Sequence, residues 1–329
     1  MRKTSPIRVS PSIRRTLDFE DETMSENKFE PCGVLIVNKP EGITSHDVVG
    51  KIRKLYGTRK VGHTGTLDPL ATGVLVILLG RAAKAAEYLV ADRKTYRARL
   101  MLGLTTDTED ITGKVLTQSA NIPGCEQVKS VCTEFLGKIK QIPPMYSALK
   151  VDGKKLYDLA REGIEIERQA RDIEIFQLEC TPTDKENEYE LLVECSSGTY
   201  IRTLCADIGA RLGCGGVMSA LHRVVAGGFA IEDSHTIAEL EALELTDRYD
   251  LLAPTESLFE ECPKVFLPSF YEKLCRSGCE IYQNKIKTDL GIGTRVRICT
   301  HSGEFFALGE VREYENGTAI KAIKTFALD

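Results

Sequence analysis

Residues 62–80 read GHTGTLDPLATGVLVILLG. From Val74 onward the run is apolar and closes on a glycine, the pattern of a buried strand. The twelve residues before it hold three glycines, one histidine and one aspartate. Glycine admits backbone conformations that other residues resist, and Pro69 pushes Asp68 toward extended geometry. A loop of this make-up, fastened to a buried strand, holds its side chains in defined places. What Asp68 does there depends on the partners the rest of the chain offers.

Upstream, GVLIVNKP (33–40) is a short apolar strand ended by proline. Ser45 is expected to cap a helix whose apolar positions 48, 49, 52, 55 and 56 share one face, with Gly57 ending it. Downstream of the apolar run, RAAKAAEYL reads as a helix. TYRARLMLG alternates, with Tyr96, Ala98, Leu100 and Leu102 on one side and Arg97, Arg99 and Met101 on the other. A helix is expected over about 124–139, and a rigid Pro-Pro segment with a second helix within 141–163. YELLVECSSGTYIRTLCADIGARLG (189–213) reads as strand, tight turn and helix, with Arg202 in the first helical turn. Residues 232–262 carry ten acids against one arginine and read as a helix and a linker. TRVRICT, EFFALGEV and TAIKAIKTF are short strands separated by glycines, which suggests a small β-barrel-like module at the C-terminus. The fold class is α+β, a mixed core followed by a compact all-β module.

A chain of 329 residues suggests two domains, one with an insertion. Hydrophobic content of 42% and charged content of 28% are ordinary for a soluble globular protein. The longest apolar run is far too short to cross a bilayer, and no N-terminal stretch has the apolar centre of a secretory signal. Residues 1–31 lack periodic apolar structure and read as a disordered extension. The first seventeen hold five basic residues and no acid, which faintly resembles an organellar transit peptide. A start at Met24 is the simpler reading, and the expected location is cytoplasmic. Eleven scattered cysteines without a CxxC pair read as reduced thiols. Net charge is −5, yet residues 51–100 carry eleven Lys or Arg against three acids. This basic window surrounds the Asp68 loop, and local basic surface matters more than the total when phosphates are bound.

Several chemistries fail on their own requirements. A phosphate cradle needs GxxxxGK[ST], and no lysine follows these glycines in that way. A metal site needs several converging ligands, and His63 with Asp68 supplies two. There is no GxSxG elbow, and glycoside hydrolysis usually needs two carboxylates. Two readings of Asp68 stay open: a cap for the turn before Pro69, or a lone carboxylate serving as nucleophile or charge stabiliser. The second requires a cation to keep the group ionised in a dry pocket. Arg202 is one candidate among many, and spacing alone does not select it.

GHTGTLDPLATGVL closely resembles the catalytic signature of the TruB family, the bacterial tRNA pseudouridine-55 synthases. VNKPEGITSHDVV (37–49), RKTYRA (93–98), IPPMYSALKVDGKKLYDLAREG (142–163) and GTYIRTL (198–204) follow in the family's order. The resemblance covers roughly residues 32–230, and the C-terminal strands resemble the family's PUA domain. It implies a catalytic domain over 32–262, with a mobile RNA-clamping insertion at about 104–150, and a PUA-like RNA-binding domain over 263–329.

The implied activity is isomerisation of a T-loop uridine in tRNA, with no cofactor and no metal. By the same resemblance Asp68 is the nucleophile, Tyr96 stacks on the target base, and Arg202 pairs with Asp68. Tyr200 and Leu221, the latter in SALHRVV, line the uracil pocket. His63 fills the space left when the nucleotide flips out, a step the chemistry requires because a stacked glycosidic bond is out of reach. The basic window then acquires a role, with Lys51, Lys54, Arg59, Lys60, Arg93 and Lys94 as candidate contacts to RNA backbone phosphates. The partner is tRNA, held at its T-arm and acceptor stem by a monomeric enzyme that needs no membrane. Two rivals remain: a non-catalytic RNA-binding or tRNA-folding protein, and a synthase of the same family acting on another RNA.

Overall fold

The alternation along Lys94–Leu102 is realised as a strand in which Tyr96, Ala98, Leu100 and Leu102 are buried while Arg97 is exposed. Our computed structural model describes residues 30–89, 93–147, 149–151 and 153–326. The expected N-terminal extension therefore lies outside the described residues, apart from its last two positions.

Lys94–Leu102 sits inside a ten-stranded mixed sheet. Its main path runs His235–Thr236, Gly33–Lys39, Thr72–Leu79, Gly216–Ala226, Lys94–Leu102, Glu188–Cys195, Arg171–Pro182 and Gly137–Gln141. The order is far from sequential, so distant segments meet at the middle of the sheet. There, Gly216–Ala226 joins Thr72–Leu79 through a brief parallel contact, His222 beside Thr72 and Arg223 beside Gly73. Gly73 has φ +100, and a Cβ there would fall within 2.8 Å of the Arg223 amide nitrogen. Only glycine permits both that conformation and that approach.

One face of the sheet is covered by the helices Ser45–Leu55, Cys125–Thr133 and Ile201–Leu212. Leu35, Val37, Leu75, Ile77, Ala98 and Leu100 form its core with Val48, Ile52, Leu204 and Ile208. The other face presents Val34, Ile36, Val74, Val76 and Leu78, which pack against Phe259, Leu308 and Phe326. Those last two belong to a second, curled sheet of five strands and its immediate continuation: Lys264–Phe266, Arg295–Cys299, Phe305–Tyr314, Gly317–Thr325 and Ile281–Tyr282. This half-barrel is the expected PUA-like module. It has its own core, including Val265, Val296, Ile298, Phe306 and Val311.

Local readings needed four corrections. Thr44, not Ser45, caps the first helix: its side chain accepts from the Asp47 amide, while the Asp47 carboxylate accepts from the Thr44 amide in a capping box. The helix after the apolar run is a 3-10 helix, Gly80–Tyr88, whose buried alanines 82 and 85 follow the three-residue period of that form. The helix expected over 124–139 stops at Thr133, and Gly137–Gln141 is a strand. Gly137 takes φ +85, which breaks the helical course between them. Arg171–Pro182, an interior strand, carried no clear local signal and adds to the expected elements.

Candidate active site

Val61–His63 pairs antiparallel with Thr72–Leu79, so the segment between them doubles back over the end of its own strand. The Asp68 carbonyl accepts from the Ala71 amide at 3.0 Å, closing a turn at Pro69. That turn uses the backbone of Asp68 and leaves the carboxylate for another partner. Asp68 Oδ2 stands 2.9 Å from Arg202 Nε, the arginine side chain 6% exposed and the aspartate 39%.

Arg202 lies in the first turn of Ile201–Leu212, two positions after Tyr200, the residue that begins the helix. Its Nη1 donates to the Thr108 carbonyl at 2.9 Å and its Nη2 to the Tyr146 carbonyl at 2.7 Å. The guanidinium therefore joins three separate loops, which suits a rigid planar fork better than a single ammonium point. Asp110 Oδ2 lies 4.0 Å from Nε, and its Oδ1 accepts from Thr108 Oγ1, the Thr112 amide and Thr112 Oγ1. That network gives the Thr106–Gly113 loop one shape. Next to Asp110, Glu109 takes a left-handed backbone and accepts from the Thr203 hydroxyl. Burial pushes its carboxyl above the ordinary range, opposed by the Thr203 bond and Arg202. Burial and then Glu109 likewise raise Asp207 to about 6.

Further buried groups hold the loop backbone. Lys39, fully buried, donates from Nζ to the carbonyls of Pro40 at 2.9 Å, Pro69 at 3.4 Å and Ala71 at 2.6 Å. Burial lowers its ammonium from 10.5 to about 8, with Asp68 the foremost opposing charge. Arg223, 1% exposed, donates from Nε to the Val74 carbonyl at 2.7 Å and from Nη2 to the Gly65 carbonyl at 3.1 Å. Ser45 Oγ donates to the Leu67 carbonyl and accepts from the Leu67 amide. Asp68 is thus an accessible carboxylate on a loop whose backbone is fixed by buried groups on both sides.

The other expected site residues fall in two groups. Tyr96 and Leu221 are buried in the core cluster that includes Leu67, and Tyr96 pairs across the strand with Arg223. Tyr200 is half-buried, its hydroxyl held above the ordinary range chiefly by burial. His63 is half-buried, and its buried Nδ1 has no hydrogen-bond partner among the described residues. Burial, then Arg223 and His46, lower its pKa. Among the cations, Lys51, Lys54, Arg59, Lys60 and Arg93 are exposed. Lys51 stands 3.7 Å from Glu241. Arg93 pairs with Glu194 at 3.0 Å while lying over the Phe176 ring. Lys94 is not a surface cation: it is 8% exposed, with Nζ donating to Ser197 Oγ at 3.1 Å and its chain end against Gly65. No three His, Cys, Asp or Glu side chains converge as a metal site among the described residues.

Residues 53–201 match the model of the TruB family pseudouridylate synthase N-terminal domain, and residues 202–260 the tRNA pseudouridylate synthase B C-terminal domain. A tRNA pseudouridine synthase B of Alkaliphilus oremlandii is 44% identical over 295 residues, covering 89% of this chain and 97% of that protein. The chain belongs to the TruB family. A second TruB relative, from Syntrophotalea carbinolica, is 47% identical over 71% of this chain and 76% of its own length. Among solved structures, a Cbf5–Nop10–Gar1 complex contains a chain similar at TM-score 0.70 and 27% identity, covering 93% of this chain and 91% of that one. An H/ACA RNP bound to a substrate RNA containing 2′-deoxyuridine gives 0.68 and 25%, covering 96% of each chain. Sequence pattern alone does not mark Lys39, Ser45, Asp110, Gln141 and Arg223 as site residues. Lys39 and Ser45 lie in VNKPEGITSHDVV, where one ends an apolar strand and the other opens a helix, while Arg223 lies in SALHRVV, a charged residue inside a strand.

Proposed function

We propose that this chain converts uridine to pseudouridine in tRNA, at position 55 of the T-loop, with Asp68 as nucleophile. The observation that carries this reading is the 2.9 Å contact between the Asp68 carboxylate and the buried Arg202 guanidinium, on a loop pinned at Gly65, Leu67, Pro69, Ala71 and Val74. The guanidinium orients the carboxylate facing it, and the pinned backbone keeps it aimed.

The reaction breaks the C1′–N1 bond, turns the uracil and joins C1′ to C5. The C5 proton leaves to a base and N1 gains one, so the composition is unchanged and no electrons are exchanged with a second reactant. One nucleophile and one proton acceptor meet that need. Tyr96 stacks on the base and assists removal of the C5 proton, while Tyr200 and Leu221 bound the uracil pocket. His63 takes the place of the flipped base, its lowered pKa keeping the ring neutral, so that it stacks as an uncharged plane. Lys51, Lys54, Arg59, Lys60 and Arg93 meet backbone phosphates of the T-arm, and Lys94 acts from inside, through the Gly65 turn. The 104–150 segment clamps the T-loop, the module over 263–329 grips the acceptor stem, and a monomer acts in the cytoplasm.

Tritium release from C5-labelled uridine in an unmodified tRNA transcript, with chelator present, tests the reading. Wild type releases the label and Asp68→Asn does not. No release by wild type with tRNA binding intact would overturn it in favour of an RNA-folding role.

A further inference from the structure

We propose that Arg223 is a positioning residue for catalysis, a clasp that fixes the base of the Asp68 loop to the strand carrying Tyr96. Its side-chain bonds reach carbonyls on opposite sides of Asp68: Gly65, three residues before it, and Val74, six after. Its backbone lies beside Gly73 on one flank and Tyr96 on the other. Arg223 therefore links the loop's entry, the loop's exit and the stacking tyrosine through one residue.

The choice of arginine calls for a reason, because a buried guanidinium is costly to desolvate. The partners of these two bonds are neutral carbonyls, and among the described residues no carboxylate forms an ion pair with Arg223. An apolar side chain of similar volume would fill the space without that cost. What it could not do is join two carbonyls from separate stretches of backbone, which the planar fork does. The other anchors act elsewhere: Lys39 on Pro69 and Ala71, Ser45 on Leu67, Arg202 on the carboxylate itself. None of these three bonds both Gly65 and Val74. Loss of the clasp would let the loop shift as a body while its turn at Pro69 stays intact.

The inference rests on Asp68 being the nucleophile, so both ideas are tested together. Wild type, Asp68→Asn, Arg223→Lys and Arg223→Met are compared by single-turnover conversion of a tRNA transcript at saturating enzyme. The same proteins are compared by tRNA affinity, melting temperature and amide exchange of the 62–76 peptide. Arg223→Met is expected to react about 50-fold slower or worse, since displacement near 1 Å costs on the order of 100-fold. Its tRNA Kd stays within about threefold, and faster exchange is confined to 62–76. Arg223→Lys, able to hold one carbonyl, falls between. Turnover by Asp68→Asn would instead remove the nucleophile reading beneath the proposal. If Arg223→Met fails to fold, Arg223→Lys decides: slower chemistry with unchanged exchange elsewhere supports the clasp. A wild-type rate in either folded variant, or exchange raised throughout the chain, overturns it.

Discussion

The side-chain amide of Gln141 pairs with both backbone groups of Tyr200: Nε2 donates to the Tyr200 carbonyl at 3.0 Å, and Oε1 accepts from the Tyr200 amide at 2.8 Å. Gln141 ends the edge strand Gly137–Gln141 and is 2% exposed. It imitates a neighbouring strand and fixes the start of a helix that has no side-chain cap of its own. Arg202 sits two residues along, so the amide indirectly aims the guanidinium that holds Asp68.

Gln141→Leu should cost about 1–3 kcal/mol, because the Tyr200 amide loses its partner in a half-buried place while the Tyr200 carbonyl keeps the Leu204 amide. Turnover should fall along with the melting temperature. A variant with unchanged melting and unchanged rate would show that Tyr200 is held by other means.

Asp68→Asn should abolish turnover while tRNA binding stays within about tenfold, since a neutral amide loses one interaction of about 1.4 kcal/mol. Filter binding beside the tritium assay separates the two quantities. Substantial residual turnover would take Asp68 out of the nucleophile role.

Gly73→Ala places a side chain against the Arg223 backbone in a left-handed conformation. The expected loss is about 2–4 kcal/mol, drawn from backbone strain and forced separation of the two strands. Denaturant unfolding measures it directly. Gly57→Ala, also left-handed but with open space around its Cβ, should lose only the strain, about 1 kcal/mol. Equal losses at both positions would argue against the close approach.

Lys39 gives a pH signature. Between about pH 8 and 10.5 the unfolded chain still holds a proton that folded Lys39 has lost, so unfolding free energy rises with pH across that window. Below pH 8 both states are charged and the burial cost stands in full. The stability difference between wild type and Lys39→Met, measured under reductant, should grow in favour of wild type by on the order of 1–3 kcal/mol. A difference that stays flat would mean that Lys39 keeps its proton in the fold.

What could be read from the sequence was mostly local. Alternation placed Tyr96, Ala98 and Leu100 on one face, and the strand–turn–helix pattern put Arg202 in a first turn, as the structure has them. Local pattern fails where two signals compete. Thr44 and Ser45 are both good helix starters, and only the Leu67 backbone shows that Ser45 is turned inward. Lys94 reads as one more cation in a basic window, and its burial against Gly65 follows from a strand register that no short stretch encodes. Asp68 and Arg202 are far apart in the chain, and the carbonyls held by Lys39 and Arg223 belong to segments that meet only once the sheet has formed.

The underside of the first sheet is covered by Phe259, Leu308 and Phe326, all far along the chain from the strands they cover. During synthesis Val34, Ile36, Val74, Val76 and Leu78 therefore leave the ribosome well before their cover does. The newborn chain passes through a stage in which a catalytic sheet has an incompletely covered apolar back, with Ala82, Ala85 and Phe259 in place but not Leu308 and Phe326, the kind of species that associates with its neighbours. A stop codon after residue 262 would spare Asp68, Tyr96 and Arg202 and still yield a protein prone to clump. For this architecture residues made late complete the cover of those made early.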